Sequence, residues 1–248
     1  MSSSLSSALS TLNNPLLVAA GGVGSYALLP IVSKLAVDAS WNTLKIMNVL
    51  AYAVNLITVS LPGRIDGQPQ QQQKQQQKKK NESVGKEMEQ LSPGRNGRTL
   101  VAPSGWAFII WAPIFLGELV FVVSLLFLSE TSSPLAGMIR KITGPFVIAQ
   151  ILQSLWTAAF RPKYKGNLMY ISTGLLAGTA YSLSKAHAVI VANNQQLGFL
   201  QYIQYFLPIT LHFGWTTAAA LVNLNGAVSM NESSSSNLVR WVGHVSVM

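Results

Sequence analysis

Residues 104–128 read SGWAFIIWAPIFLGELVFVVSLLFL, and the single charged residue among them is Glu118. At ~1.5 Å rise per residue, a helix of this length exceeds the hydrocarbon thickness of a bilayer. Such a continuous apolar run predicts a transmembrane helix rather than the half-polar surface helix of a soluble domain. The fold of the chain therefore depends on how many segments of this kind it holds.

The composition of the whole chain also indicates a membrane protein. Charged residues make up only 10% of the 248 residues, against ~25% in an average soluble domain. Twelve of the 25 charges lie in residues 62–98, so the other 211 residues share 13. A chain this poor in charge cannot cover itself with charged side chains, and lipid is the simplest alternative solvent. Cysteine is absent, which excludes disulfides, thiolate nucleophiles and cysteine-based zinc sites.

Four further apolar segments approach the length of a span, at residues 44–61, 143–160, 168–192 and 199–228. The last four of the five segments are joined by short connections, which predict antiparallel neighbours in a helical bundle. We therefore expect an all-α, polytopic membrane bundle of five transmembrane helices. The Gln- and Lys-rich residues 62–98 are expected to form a disordered loop, because they cannot bury enough apolar area.

Three regions follow from this pattern: a Ser-rich and interfacial segment at 1–43, the membrane domain at 44–228 and a tail at 229–248. Residues 16–33 are uncharged, but three glycines and Pro30 weaken a helix there. We expect that segment to be interfacial or peripheral rather than a span. The tail turns apolar in its last 11 residues and is either a truncated further span or a segment resting at the membrane interface.

Lysine and arginine counts predict the orientation, since positively charged loops stay on the cytosolic side. Residues 62–98, residues 161–167 and the tail hold twelve of these side chains, and the opposite side holds five. We therefore expect the loop and the C-terminus in the cytosol, with the amino terminus across the membrane. The sequons at Asn81 and Asn231 should then carry no glycan. Topology and anionic lipid account for most of the net charge of +9, so no nucleic acid partner is expected.

Polar residues inside the spans mark candidate sites, because a polar side chain is costly in hydrocarbon. Glu118 shares a helix face with Trp111 and Phe115. That face either lines a ligand pocket or carries a neutral acid hydrogen-bonded to a neighbouring helix. Gln153 and Trp156 share a face of the third span, where an amide beside an indole suits a flat ligand with polar edges. An interhelical hydrogen bond would explain the same two residues.

Other small and polar residues in the spans are expected to pack helices together. Asn48 and Asn55 lie seven residues apart in the first span, where packing is the favoured role. Gly174, Gly178 and Ser182 recur every four residues in the fourth span. This spacing lets a partner helix approach closely, either within the bundle or across a dimer.

Neither a metal site nor a catalytic group is expected. His212 lies mid-span and could coordinate the metal of a porphyrin, but a lone buried histidine is more often a hydrogen-bonded core residue. No pair of His or acidic residues has metal-ligand spacing. Both aspartates lie outside the spans, and GGVG at 21–24 is neither a dinucleotide-binding nor a phosphate-loop motif. Any catalysis would depend on the ligand or cofactor itself.

Three motifs carry a family resemblance. APSGWAFIIWAPIF at 102–115 follows the pattern Pro-x-Gly-aromatic-x-Phe-x-Ile-Trp-x-x-Ile-Tyr, with Phe115 in place of the final Tyr. In the third span, Gln153 and Trp156 match an Asn-x-x-Trp motif, with Gln in place of Asn. In the fifth span, LPITLHFGWTTAAALVN at 207–223 matches the whole pattern Leu-Pro-x-x-x-x-x-Gly-Trp-x-Thr-x-Ala-x-x-x-Asn. Residues 44–61 and 100–228 thereby resemble the TspO/translocator-protein (peripheral benzodiazepine receptor) family, and more closely its branch of tryptophan-rich sensory proteins.

The resemblance implies a five-helix membrane bundle, often dimeric, with a central pocket that opens toward the first loop. Family members bind porphyrins and, in animals, sterols and benzodiazepine-like drugs. The residues of this chain that match the family's pocket are Phe108, Trp111, Phe115, Gln153, Trp156, Trp215 and Asn223. Glu118 joins this candidate ligand-binding set because it shares a face with two of them.

The leading expectation is an integral membrane receptor or carrier for a flat lipophilic ligand, a tetrapyrrole such as a porphyrin or a sterol-like molecule. Porphyrin enters this expectation as a ligand, and no resident cofactor is expected. Membrane lipid, the lipophilic ligand and a second copy of the chain are the expected partners. Two alternatives remain open: a photo-oxidative enzyme that degrades porphyrins, and a structural membrane subunit without a ligand.

Overall fold

The computed structural model of the chain describes residues 14–61, 101, 103, 105–130, 134–161, 164–193, 195, 197–232 and 236–247. Every regular element in these ranges is a helix, and six of the helices are long and apolar enough to cross a membrane. The expected all-α membrane bundle is confirmed, with one such helix more than the five expected. The disordered loop expected at 62–98 lies outside the described residues.

Seven helices carry the fold. Their bounds are α1 Pro15–Asp38, α2 Trp41–Ser60, α3 Trp111–Phe127, α4 Pro134–Ala159, α5 Met169–Ala192, α6 Leu207–Asn231 and α7 Asn237–Val245. A 3-10 turn precedes α3 at Gly105–Ile110, another precedes α5 at Gly166–Leu168, and a π-helical turn precedes α6 at Tyr202–Phe206. The third span was expected to begin at residue 143, but α4 begins nine residues earlier and includes the charged Arg140 and Lys141.

Five of the helices form a closed ring in the order α2, α4, α5, α6, α3. The Tyr52 hydroxyl donates to the Phe115 carbonyl at 2.9 Å, and Trp41 Nε1 donates to the Leu128 carbonyl at 2.8 Å. Because the start of α2 contacts the end of α3, these two helices are antiparallel. On the far side, α5 and α6 are antiparallel as well, with Ser172 against Asn223 and His187 against Thr210. The antiparallel arrangement expected from short connections is present in this pair.

The first helix, α1, lies outside this ring, packed along α4 and α5. A Cβ at Gly22 would lie 2.5 Å from Leu175 Cδ2, and one at Gly144 would lie 2.8 Å from the backbone nitrogen of Ser33. Glycine at these positions lets helix backbones approach closely, which is how helices associate in lipid. Residues 16–33 are therefore part of one helix of 24 residues, because packing outweighs the low helix propensity of glycine. The interfacial or peripheral placement of this segment stays a prediction.

The direction of α1 shows at which end of the bundle this helix begins. Gly21 packs near Leu155, whereas Ser33 packs against Gly144, so α1 runs antiparallel to α4 along most of its length. Pro15 consequently lies at the end of the bundle where α2, α4 and α6 finish. Pro15 and Ser60 therefore lie at the same end of the bundle. The amino terminus was expected across the membrane from residues 62–98; residues 1–13 and 62–98 lie outside the described residues, so that expectation stays a prediction.

The distribution of polar and apolar side chains suits lipid rather than water. Ile57, Leu116 and Phe127 face outward with 63%, 63% and 83% of their surface exposed. Glu118 and His212, by contrast, are fully buried inside the ring. A soluble domain shows the opposite arrangement, with charged groups outside and apolar groups inside. Within the described helices, Glu118 and His212 therefore lie at the centre of the bundle, away from the apolar outer surface.

Candidate functional site: aromatic and polar residues inside the ring

The first part of the candidate site is a group of aromatic rings on α3, α4 and α6. Trp111 stacks on Phe115 with ring centroids 5.6 Å apart and on Trp156 at 6.2 Å. It meets Trp215 edge to face at 6.0 Å. Phe108, in the turn before α3, also meets Trp215 edge to face, with ring centroids 5.8 Å apart. Helical periodicity explains the α3 contribution, since Trp111 and Phe115 lie one turn apart on one face.

The second part is a hydrogen-bonded polar network one to two turns deeper in the ring. His212 Nδ1 lies 2.6 Å from Glu118 Oε1, and Gln150 Nε2 donates to Glu118 Oε2 at 3.0 Å. Asn55 Nδ2 donates to Gln150 and, at 2.8 Å, to Gln153 Oε1. The network therefore joins α2, α3, α4 and α6. Glu118, Gln150, Gln153, Asn55 and His212 are all fully buried.

The two parts form one continuous site. The Trp111 ring meets the His212 imidazole edge to face at 5.8 Å, so the aromatic rings contact the polar network directly. We call these residues together the central site. Its members are Asn55, Phe108, Trp111, Phe115, Glu118, Gln150, Gln153, Trp156, His212 and Trp215.

Several polar atoms of the central site lack a hydrogen-bond partner among the described residues. Three are donors or donor-bearing groups: Trp111 Nε1, Trp215 Nε1 and Gln153 Nε2. Two others are Asn55 Oδ1, an acceptor, and His212 Nε2, the ring nitrogen on the side away from Glu118. A buried polar atom without a partner costs about 1–3 kcal/mol. The central site thus offers hydrogen bonds to a molecule that carries acceptor groups.

Seven of the eight expected ligand-binding residues lie in the central site. The exception is Asn223, which lies eight residues beyond Trp215 on α6, or about 12 Å along the helix axis. Its Oδ1 accepts a hydrogen bond from Ser172 Oγ at 2.8 Å, so the structure places it in an α5–α6 contact. The family motif gives its position in the sequence, but eight residues of helix separate it from Trp215.

Sequence reasoning left three residues out of the site. Asn55 was expected to pack helices, and Gln150 is a polar residue of the third span, but no pattern along the chain showed that the two share hydrogen bonds with Glu118 and Gln153. His212 was expected to be a hydrogen-bonded core residue, and its Nδ1 does have a partner. One signal could have identified all three residues. A polar side chain buried in hydrocarbon has a high free-energy cost, which a hydrogen bond to another polar group offsets, so polar residues of different spans are expected to pair.

The three residues expected to pack helices occupy different environments on α5. Ser182 is fully buried, and a Cβ at Gly178 would lie 3.3 Å from Leu152 Cδ1 on α4. A Cβ at Gly174 would meet no atom within 4 Å, and this glycine faces outward. Packing within the bundle thus involves Gly178 and Ser182. A role for Gly174 between two copies of the chain stays a prediction.

Two further features bear on the chemistry near the site. The described part of the chain holds no group of three or more His, Cys, Asp or Glu side chains that could bind a metal ion.

In the connection between α4 and α5, burial raises the pKa of the Tyr164 hydroxyl, and Arg161 partly opposes that shift. Tyr164 therefore remains a neutral phenol at neutral pH, beside the end of the bundle where Trp156 lies.

Comparison with known proteins gives one positive finding. A model described as TSPO-like protein matches residues 79–242, about two thirds of the chain. The match includes α3, α4, α5 and α6 and begins after α2 has ended. Searches of curated proteins and of solved structures found no match.

Proposed function

The chain belongs to the TSPO-like protein family, and from this premise we propose that it is an integral membrane receptor or carrier that binds a flat lipophilic ligand in the central site. The observation that carries the proposal is the group of three indoles, Trp111, Trp156 and Trp215, gathered from α3, α4 and α6. Aromatic faces at this spacing stack well on a flat apolar molecule. A protein that needed only to pack its helices in lipid has less reason to collect three indoles at one place.

The unpartnered donors narrow the class of ligand. Trp111 Nε1, Trp215 Nε1 and Gln153 Nε2 can together donate to several acceptor atoms. A tetrapyrrole with carboxylate groups at its edge has several acceptors, whereas a sterol has one hydroxyl. Buried polar atoms of this kind set selectivity while apolar faces supply affinity. We therefore favour a tetrapyrrole over a sterol-like ligand.

The exposure of the rings suggests where the ligand enters. Phe108, Trp111 and Trp215 are half-buried, and Trp106 in the same turn is 74% exposed. All four lie toward the end of the bundle where α2 finishes and the glutamine-rich residues follow. A ligand arriving from that end would meet these rings before the polar network.

A fluorescence titration tests the proposal. The protein in nanodiscs is titrated with protoporphyrin IX while indole emission is followed, and Trp111→Phe and Trp156→Phe are compared with the wild type. We expect saturable quenching, and an affinity about two- to tenfold weaker in each variant, since an aromatic contact contributes ~0.5–1.5 kcal/mol. Trp241→Phe is the matched control, because Trp241 lies on α7 with 63% of its surface exposed.

The same titration also tests the alternative that the chain is a structural membrane subunit without a ligand. If quenching does not saturate, or if Trp111→Phe and Trp156→Phe leave the affinity unchanged, the chain is better explained as a membrane subunit that only packs against partners. The porphyrin-degrading alternative draws on one observation, the Trp111–Trp156 stack at 6.2 Å, along which an electron could pass. This alternative predicts that the wild type, under light, converts porphyrin to a product with a new absorption band. The product should not form with Trp111→Phe or with Trp156→Phe.

A further inference from the structure

His212 occupies an unusual position for a histidine in a membrane bundle. The side chain is fully buried in α6, and its Nδ1 lies 2.6 Å from Glu118 Oε1. Glu118 is in turn fixed by a hydrogen bond from Gln150 at 3.0 Å. The second ring nitrogen, Nε2, is buried and has no hydrogen-bond partner in the described part of the chain.

This combination matches the way proteins present an imidazole to a metal. A carboxylate that accepts a hydrogen bond from Nδ1–H fixes the tautomer and the ring orientation, and it leaves the lone pair on Nε2 available. It also makes the imidazole a stronger electron donor. A histidine that served only to join α3 and α6 would need Nδ1 but would have no use for an unpartnered, buried Nε2.

The surroundings of the ring connect it to the proposed ligand. His212 meets the edge of Trp111 at 5.8 Å, and Trp111 contacts both Trp156 and Trp215. A macrocycle stacked among these indoles would lie next to the imidazole. A tetrapyrrole supplies four nitrogen ligands to its own metal, so the protein needs to add only an axial one. The lack of a three-residue metal cluster in the described residues is therefore no obstacle.

We propose that His212 Nε2 is an axial ligand to the metal of a metallated tetrapyrrole, with Glu118 as the positioning residue. The inference rests on the proposed function and deepens it, because it selects metallated over metal-free macrocycles. The bond forms when the Nε2 lone pair is donated to the metal. The proton stays on Nδ1, shared with Glu118, and the oxidation state of the metal does not change.

The test compares ferric haem with metal-free protoporphyrin IX on the full-length protein in nanodiscs. With the wild type we expect the absorption and electron paramagnetic resonance spectra of histidine-ligated iron. In His212→Gly this signature should be lost, and haem affinity should fall at least tenfold further than protoporphyrin affinity falls. Added imidazole should restore the signature. His187→Gly is the matched control, since His187 on α5 is half-buried and stacks on Phe213.

Two further variants keep the test decisive if His212→Gly fails to fold. His212→Gln retains an amide donor toward Glu118 but has no nitrogen lone pair, and it should also lose the signature. Glu118→Gln removes the negative charge next to the imidazole while keeping a hydrogen-bonding group. It should keep the ligation but raise the reduction potential of bound haem, because a less electron-rich imidazole stabilises ferric iron less. A role in helix packing alone would not move the potential.

The outcomes separate the two proposals. If the wild type binds neither haem nor protoporphyrin, the proposed function fails and this inference fails with it. If protoporphyrin binds saturably but the haem spectrum is the same in wild type, His212→Gly and His212→Gln, only the axial ligation is overturned.

Discussion

At the scale of single residues, the cost of polar groups in hydrocarbon accounts for the interior of this protein. Asn55, Gln150 and Gln153 are fully buried and bond to one another across α2 and α4. A polar side chain without a partner would raise the free energy of the folded bundle in lipid. A hydrogen bond to a second polar side chain offsets part of that cost for both residues. Every member of such a network thus depends on its neighbours.

Removing one member should therefore destabilise the bundle. In Asn55→Ala, Gln150 Oε1 and Gln153 Oε1 both lose their donor from α2. We expect a loss of about 1–2 kcal/mol in the free energy of unfolding, from two interhelical hydrogen bonds of ~0.6 kcal/mol or more each. Reversible unfolding by dodecyl sulfate in mixed micelles measures this. Asn42→Ala, at an exposed position of the same helix, should change the stability by less than about 0.5 kcal/mol.

At the scale of elements, glycine decides how close α1 comes to α4. The contact between Gly144 and Ser33 is between backbones, so no flexible side chain can move aside for a larger residue. At Gly22 the neighbouring atom is the end of Leu175, which can rotate. The α1–α4 contact is therefore more sensitive to a substitution at Gly144 than at Gly22.

Two glycines of α4 give a matched test of this contact. In Gly144→Ala the new Cβ would overlap Ser33, and overpacking of this kind costs about 1–3 kcal/mol. In Gly137→Ala the Cβ would meet no atom within 4 Å, so better helix propensity should stabilise by up to ~1 kcal/mol. Thermal unfolding in detergent should show opposite shifts for the two variants. Equal shifts would mean that α1 does not pack as described.

At the scale of the whole molecule, a closed ring of five helices explains why the central site exists. Only a closed ring gives α2, α3, α4 and α6 a shared interior, and only there can Glu118 meet partners on two other helices. The sixth apolar helix, α1, lies outside the ring, and no residue of α1 is a member of the central site; Val18 and Leu29 belong to the same apolar cluster as Trp156. The direction of α1 instead bears on which side of the membrane Pro15 faces.

The topology can be mapped with single cysteines, because the chain has none of its own. Cysteines replacing Asn167 and Ser236 should react with an impermeant maleimide from one side of sealed vesicles, and a cysteine replacing Ser129 should react only from the other. A cysteine replacing Ser10 should react from the same side as Asn167 if α1 crosses the membrane. Reaction from the side of Ser129 would show that it does not. Cytosolic exposure of Asn167 is expected from the charge counts.

Three properties could be predicted from the amino-acid order alone: the chain is a membrane protein, five of its six long apolar helices can be located, and it belongs to the TSPO-like family. These properties depend on local composition, on a 3.6-residue period and on motifs within one helix, all of which are legible along the chain. The same period placed Trp111, Phe115 and Glu118 on a common face.

Which helix faces meet could be read only from the folded bundle. Glu118 and His212 are separated by 94 residues, and Asn55 and Gln153 by 98. Their pairing depends on the order of helices in the ring and on the axial offset between helices, and neither leaves a mark in local periodicity. For the same reason Asn223 could not be excluded from the central site, nor α1 recognised as a full helix. Its glycines look like helix breakers until the neighbour they accommodate is in place.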